Sequence, residues 1–536
     1  MWLNTTTMAT EATRKTRPRL LISLSYFCCL YFMLFSFFSC RCCLMANAEF
    51  YSSVDSLKVL GNMEATLIQN FRQYLKQQQE DIDNVQRFIK EVKFHHELAI
   101  EDIADYIENP INAFTLIKRV VNDWKELYEY LKFSDIKLDI KESLTQFEKG
   151  IQLPNDGELQ GAIRGLKRLQ TIYKLSAVDM AKGEKYGNPL QWRDCFEIGT
   201  TLLDDNSYKL AIEWLELSLL KLSDSEESKD IKSAFNKHIK EYLSFAYQGL
   251  GETEIAIEYI DDVLKSDPDS NVKITRNILL NTETDADEED EDVSTIDTNY
   301  ARLCRGEILK KIPPMSCKLD FKRHPLFILA PLQVEPLLEN PPVTLYHNLI
   351  NDEQISKLLS KTRSKMQRSQ VVNGNGTISV EGRVSQQTWV NPKKSKIASL
   401  MYKLVGAISG FDMDNAETMQ VANYGIGGQY ESHHDYLGSD YKSGFVGDRI
   451  STNMFYLADV EEGGYTVFPY LDVYSKPIKG SMIMWYNLHK SLDEDERTLH
   501  AGCPVLKGSK KIANVWTHSG YQEFRRPCDL QNDSIM

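Results

Sequence analysis

Apolar residues recur at helical spacing along the first part of the chain. Leu60, Met63, Leu67 and Tyr74 fall on one stripe, and Ile82, Val85, Ile89 and Val92 repeat the pattern in heptads. Few Gly or Pro interrupt, so residues 49–185 are expected to be helical. The stripe is either a face packed on its own domain or a seam between two copies of the chain. Residues 188–270 keep the helical period but break into pairs. From about 335 the pattern changes to short aromatic and β-branched runs separated by Gly and Pro. These are Val343–Tyr346, Val384–Trp389, Met419–Tyr424, Met454–Leu457, Ser481–Trp485 and Ile512–Trp516. Helices are expected near Asp352–Lys365 and Ser395–Ile408.

The paired helices fit a tetratricopeptide spacing. Leu243, Ser244, Tyr247, Ala256, Ile260, Val263 and Pro268 mark one repeat. Cys195, Ile198, Gly199, Leu202, Ala211, Leu215 and Ser218 mark a looser one before it, and the acidic insert Ser223–Asp230 separates the two. Such hairpins leave a concave face. Tyr208, Trp214, Tyr242, Phe245 and Tyr247 are candidates to line it and to stack on prolines of a polyproline II peptide; the competing reading is repeat core. The strand-rich part suits a double-stranded β-helix, or jelly roll. The whole is an α+β multidomain chain. Residues 1–48 read as a signal peptide and 49–185 as a helical N-terminal domain. A tetratricopeptide-like domain follows at 188–281, then an acidic linker and cysteine loop at 282–334, and the strand-rich domain at 335–530.

The signal reading rests on Arg14, Lys15, Arg17 and Arg19 before the apolar run Leu20–Phe38, with Ala46-Asn47-Ala48 as the cleavage site. A signal anchor is the alternative. Formal net charge is −14, and removing the signal takes it to about −18, which argues against nucleic acid as a partner. Of ten cysteines, five leave with the signal. Cys195, Cys304, Cys317, Cys503 and Cys528 remain, scattered and without Cys-x-x-Cys, so a zinc site is not expected. An oxidising compartment is consistent with them. The run from Thr282 to Asp297 is a solvated acidic linker, and it lacks the Gly and terminal Glu of a calcium loop. Val371–Thr377 is a polar Gly-rich loop that could serve as a lid. Asn375-Gly-Thr377 and Asn532-Asp-Ser534 are glycosylation sequons.

The chemistry concentrates between Tyr424 and His518. On a strand, His433 and Asp435 would point to one face. With a distant His500 they form a 2-His-1-carboxylate set, which leaves iron positions open for oxygen and a co-substrate. His434 would point away. Lys510, Ile512, Asn514, Trp516 and His518 alternate onto one face, and Lys511 onto the other. A cation at Lys510 on an inward face needs an anion, and a co-substrate carboxylate is a natural one.

These residues resemble the iron and 2-oxoglutarate site of prolyl 4-hydroxylases. The resemblance extends through Asp448–Tyr456, Gly463–Pro469, Trp485–Leu488, His500–Leu506 and Gln522–Cys528, and covers nearly all of the mature chain. It is that of the α subunits of animal collagen prolyl 4-hydroxylases. It implies a procollagen-proline 4-dioxygenase that hydroxylates C4 of peptidyl proline while 2-oxoglutarate is decarboxylated to succinate. Fe2+ would sit on His433, Asp435 and His500, and O2 and L-ascorbate would be required. Lys510 matches the family's lysine for the far carboxylate of 2-oxoglutarate, with Thr466 and Tyr424 beside it. Trp516 and His518 match residues that contact or support the co-substrate; a hydrogen-bonded core imidazole is the other reading of His518.

Further expectations follow from the same resemblance. Cys304 would pair with Cys317 and Cys503 with Cys528, leaving Cys195 free in a helix. The N-terminal domain would dimerise α subunits. A protein disulfide isomerase would join as β subunit in an α2β2 heterotetramer in the endoplasmic reticulum lumen, and would explain retention of a chain ending Asp-Ser-Ile-Met. In the repeat module, Phe245 and Gln248 stand where the family has tyrosines. Lys510 and the repeat module argue against a lysyl-type or other 2-oxoglutarate hydroxylase. The complete triad argues against a non-catalytic procollagen-binding chaperone subunit.

Overall fold

The computed structural model describes residues 54–100, 102–127, 156–183, 185–268, 270–281, 299–309, 315–369, 371–373, 376–378, 383–438, 446–526 and 528–529. The signal segment, both sequons' asparagines and the whole acidic run Thr282–Asp297 lie outside them. The described residues divide into two units, up to Phe94 and from His95 onward. Among them, no helix is long and apolar enough to cross a membrane.

The first unit holds most of one helix, Val54–Ala99, unbroken over 46 residues. Ile68, Phe71, Leu75, Ile82 and Ile89 are exposed on it. Their spacing follows the heptad; of the expected stripe, the side chains of Leu60, Met63, Leu67 and Tyr74 lie outside the described residues.

The second unit begins with short helices and then Asp156–Tyr173. The hairpins follow: Trp192–Asp204 with Tyr208–Asp224, then Lys229–Gly249 with Thr253–Ser266. The repeat positions read from the sequence form the core, since Cys195, Ile198, Leu202, Ala211 and Leu215 are fully buried, as are Leu243, Ala256, Ile260 and Val263. Gly199 lets the first hairpin close, because a Cβ there would sit 2.7 Å from Leu215 Cγ.

The strand-rich part runs in chain order as β1 (Lys318–Asp320), β2 (Leu332–Glu339), β3 (Pro342–His347), β4 (Gln367–Arg368), β5 (Val371–Asn373), β6 (Gly376–Ile378), β7 (Gln386–Val390), β8 (Met419–Tyr424) and β9 (Tyr430–His433). It continues as β10 (Arg449–Tyr456), β11 (Glu462–Gly463), β12 (Thr466–Phe468), β13 (Val473–Ser475), β14 (Met482–Tyr486), β15 (His500–Gly502), β16 (Val505–Lys507) and β17 (Lys510–His518). The major sheet has the order β1-β2-β3-β14-β10-β17-β8-β7-β4, and the minor sheet β13-β12-β15-β9. All the ladders are antiparallel, as a jelly roll requires. Side-chain alternation divides each central strand between two cores. Ile483 and Trp485 of β14 face inward with Tyr456, Phe468 and Ile512. Met482 and Met484 face the opposite layer, where helices Asp352–Thr362 and Lys396–Ser409 contribute Ile355, Leu358, Met401 and Val405. The proposed lid Val371–Thr377 is a β5–β6 hairpin.

Helix Asp156–Tyr173 lies against the strand module. Gly427 (φ 63°) approaches so closely that a Cβ there would be 2.8 Å from Gly165 Cα. Arg168 Nε donates to the Gly427 carbonyl (3.1 Å), and the Tyr173 hydroxyl to that of Pro504 (2.6 Å).

The disulfide differs from expectation. Cys304 bonds Cys503, with Cα atoms 5.5 Å apart, while Cys317 and Cys528 are exposed and unpaired. The reason is the helix Asn299–Cys304, which sequence assigns to a linker. Its face buries Leu303 and Cys304 against Val467, Ala501 and Cys503, and so brings Cys304 within bonding reach of Cys503. Cys195 is free and buried, as expected.

Candidate active site

The register of β9 on β15 sets His433 opposite His500. β9 ends at His433, and Asp435 follows in a bend. Strand alternation alone therefore does not align the pair; the turn after β9 brings the carboxylate round. His433 Nε2 lies 3.7 Å from Asp435 Oδ1, and His500 Nε2 lies 3.5 Å from Asp435 Oδ2. One ligand atom from each of the three falls within 4.8 Å of the others, the one such group found among the described residues.

Each imidazole is set to present Nε2. His433 Nδ1 donates to the Glu431 carbonyl (2.7 Å) and His500 Nδ1 to the Thr498 carbonyl (3.0 Å). That bond selects the tautomer whose Nε2 lone pair faces the cluster. The carboxylate is held too: Asp435 Oδ2 accepts from Thr452 Oγ1 (2.6 Å) and Trp516 Nε1 (3.0 Å). Tyr430 stacks on His433 at 3.6 Å between centroids, and Trp485 meets His500 edge-on at 4.7 Å.

Protonation favours metal binding. Burial first, then His500, pushes His433 down to about 3, and burial lowers His500. Burial would raise Asp435, but His500, His433, Arg449 and Thr452 outweigh it and hold the carboxyl well below its usual range. Two neutral imidazoles and one carboxylate fit Fe(II). His434 takes no part in the cluster; its Nε2 bonds the Glu496 carbonyl at 3.1 Å.

The triad opens on a cavity of about 540 Å³, also lined by Tyr424, Thr466 and Lys510. Register pairs Lys510 at the start of β17 with Tyr424 at the end of β8. Lys510 Nζ donates to Thr466 Oγ1 (3.2 Å), which also accepts from the Tyr456 hydroxyl (2.9 Å). No ion pair to Lys510 occurs among the described residues, and burial alone pulls its ammonium down to about 7. A buried amine in the cavity that holds the triad suits a carboxylate ligand. Ile512, Asn514 and Trp516 line the cavity on the Lys510 face, as the alternation predicts.

His518 departs from that pattern. It is hydrogen-bonded to the Gly447 carbonyl (2.7 Å) and Glu417 (3.0 Å), and the cavity does not reach it. Glu417 also grips Arg449, whose guanidinium lies 4.2 Å from the Trp516 ring centroid and donates to the Asp435 carbonyl (3.2 Å). His518 is thus tied to Glu417, which links it to Arg449 and Trp516.

Sequence reasoning missed Arg449, Thr452, Glu417, Tyr430 and Arg383. Arg383 lines the same cavity over the Tyr430 ring (4.5 Å), with Nη2 donating to Gln420 (3.1 Å) and its buried Nε unpartnered. Alternation along β10 could have flagged Thr452, but only the register Thr452↔Trp516 brings it to Asp435.

Among the aromatic peptide-groove candidates, Trp214 is wrong. It is 1 % exposed, its Nε1 donating to Gln170 (2.8 Å), because that face of its helix packs on the N-terminal helices. Tyr247 stacks on Tyr259 at 5.5 Å and donates to Glu216 (2.8 Å). Phe245 is exposed, Tyr242 packs edge-on against Phe196, and Tyr208 lies against Gly249.

Comparison with known proteins agrees with the geometry. A profile of the 2OG-Fe(II) oxygenase superfamily matches residues 419–518, the stretch that carries the triad and Lys510. The chain is an Fe(II)- and 2-oxoglutarate-dependent dioxygenase. Profiles of the prolyl 4-hydroxylase alpha-subunit N-terminal region and of the prolyl 4-hydroxylase peptide-substrate-binding domain match residues 53–187 and 192–283. Prolyl 4-hydroxylase subunit alpha-1 of Bos taurus and of Homo sapiens are each 31 % identical over 522 residues, covering 91 % of this chain and 96 % of theirs. Human prolyl 4-hydroxylase subunit alpha-3 is 32 % identical over 523 residues, covering 90 % and 94 %. The chain belongs to the prolyl 4-hydroxylase alpha-subunit family, and its substrate is a polypeptide. Among solved structures, a collagen prolyl hydroxylase of Paramecium Bursaria Chlorella virus-1 with 2OG is 28 % identical, covers 32 % of this chain and 94 % of its own, and has a TM-score of 0.27.

Proposed function

We propose that this chain hydroxylates C4 of peptidyl proline in collagen-like or other proline-rich secreted polypeptides, with 2-oxoglutarate decarboxylated to succinate. The observation that carries the reading is one cavity holding both the His433–Asp435–His500 cluster and the unpaired ammonium of Lys510. Bound Fe(II) supplies the oxygen activation that side chains lack. His433, Asp435 and His500 hold it, and their backbone and side-chain partners keep the donor atoms aimed inward. Lys510, with Thr466 and Tyr424, receives the far carboxylate of 2-oxoglutarate and fixes its orientation. Tyr430, Trp485 and Phe468 keep the histidines dry. Trp516 orients Asp435, and His518 supports it at one remove.

The helical-repeat module binds the polypeptide through Tyr208, Tyr242, Phe245 and Tyr247, whose rings suit proline-rich segments. The exposed heptad stripe of Val54–Ala99 joins two α chains. Protein disulfide isomerase serves as the β subunit of an α2β2 assembly in the endoplasmic reticulum lumen, with ascorbate as reductant for the iron.

The test is succinate release by the chain co-expressed with protein disulfide isomerase, given Fe(II), ascorbate and (Pro-Pro-Gly) repeats. Peptide-stimulated turnover is expected, lost in His433→Ala and restored in Lys510→Ala only by far higher 2-oxoglutarate. Intact basal decarboxylation without peptide stimulation would keep the iron site and reject this substrate. A folded, iron-loaded complex without decarboxylation would overturn the enzyme reading.

A further inference from the structure

A second cavity, of about 970 Å³, lies beside the first. The two share β9 as a wall: Tyr430 and His433 line the triad cavity, and Glu431 and Ser432 line the other. The opposite wall is helix Asp156–Tyr173, through Arg164, Lys167 and Arg168. Asp205, in the turn joining the first repeat hairpin, also lines it, as do Tyr300 and Tyr470. The groove therefore runs from the helical-repeat module to the strand that carries an iron ligand.

Its walls are fixed before any ligand arrives. Arg164 makes a two-point pair with Asp205, Nε to Oδ2 and Nη2 to Oδ1, both 2.9 Å. Arg168 is tied to the Gly427 carbonyl, and the Tyr300 hydroxyl donates to Gln429 Oε1 (3.3 Å). The glycine contact between Gly165 and Gly427 leaves no space for the helix to slide on the strands.

The chemistry matches one class of occupant. Each proline in a polypeptide offers a carbonyl acceptor and no N–H. A surface serving such a chain should be rich in donors and flat rings, and should carry a few acceptors for the intervening N–H groups. Lys167, the remaining N–H groups of the arginines and the tyrosines provide the first, and Glu431 the second, while Asp205 is committed to Arg164. The walls come from the turn of the first repeat hairpin, the helix Asp156–Tyr173 and β9, so a polypeptide segment lying in the groove spans from the repeat module towards the strand module.

We propose that this groove carries the stretch of substrate polypeptide between the helical-repeat module and the proline at the iron. The inference rests on the function proposed above and adds a path for the chain. It also makes the N-terminal helix Asp156–Tyr173 a substrate-positioning element.

The experiment uses the complex with its β subunit. A photoreactive p-benzoylphenylalanine replaces the exposed Tyr470, or, as a control that does not line the groove, the exposed Tyr521. The probe is a (Pro-Pro-Gly) peptide of about ten repeats, roughly 90 Å when extended. In parallel, Lys167→Glu and Tyr470→Asp are assayed for turnover. Cross-linking at 470 and not at 521 is expected, with KM for the long peptide raised about five-fold or more in both variants while kcat and KM for 2-oxoglutarate hold, the mark of lost peptide binding. No cross-link at 470 in an active complex, or an unchanged peptide KM in both variants, would overturn the path. A wild-type complex that hydroxylates no proline peptide would overturn the substrate reading itself, and shows before any variant is compared.

Discussion

Burial pushes the Lys510 ammonium down to a pKa of about 7, against 10.5 in water, and it donates to the Thr466 hydroxyl. A carboxylate beside it would restore the higher value. Binding of 2-oxoglutarate between pH 7 and 10.5 should therefore take up a proton. Calorimetry in two buffers of different ionisation enthalpy measures this, and Lys510→Met should abolish the uptake; equal binding enthalpies in both buffers would contradict it. The stability sign is opposite to that of an ordinary ion pair. Across the same window the unfolded chain binds more protons than the empty folded site, so the ligand-free protein gains stability as pH rises from 7 towards 10.5. Trp516 offers a second test. Its Nε1 is one of two donors on Asp435 Oδ2, so Trp516→Phe should weaken Fe(II) binding by about 10- to 100-fold while leaving Thr452 in place. An unchanged Fe(II) titration would show that the bond does not orient the ligand. The residues that chemistry demands by type, the triad and the buried lysine, were legible in the sequence. Thr452, Arg449 and Glu417 were not, because threonine, arginine and glutamate occur everywhere and only strand register brings these near Asp435.

Elements were read well where the period was strong. Helices Asp352–Thr362 and Lys396–Ser409 and strands β3, β8, β14 and β17 stand where apolar alternation or helical spacing predicted them. The short helix Asn299–Cys304 was read as linker because six residues carry little periodic signal, yet its burial decides the disulfide. The turn between β8 and β9 is similar. Gly427 has φ 63° and presses on Gly165, so Gly427→Ala should cost about 1–3 kcal/mol through strain and clash. Urea unfolding checks this; a loss below about 0.5 kcal/mol, the range of ordinary surface changes, would mean the helix can withdraw freely.

At the scale of the molecule, the helix Val54–Ala99 exposes Ile68, Phe71, Leu75, Ile82 and Ile89 at heptad spacing. Ile82→Asp with Ile89→Asp should halve the number of α chains per assembly, measured by light scattering after co-expression with the β subunit, and leave turnover on a short peptide intact. An unchanged mass would remove this stripe from the seam. The chain by itself determined its repeat hairpins, its strands, its ligand types and its buried cation, because each is a local period or a chemical necessity. Tertiary structure alone decided which cysteine meets Cys304, that Trp214 is core rather than groove, that His518 stands behind the site, and that a helix from the N-terminal region walls a groove beside the iron. All four depend on contacts between residues far apart in sequence, and no local pattern encodes which distant surfaces will close on one another.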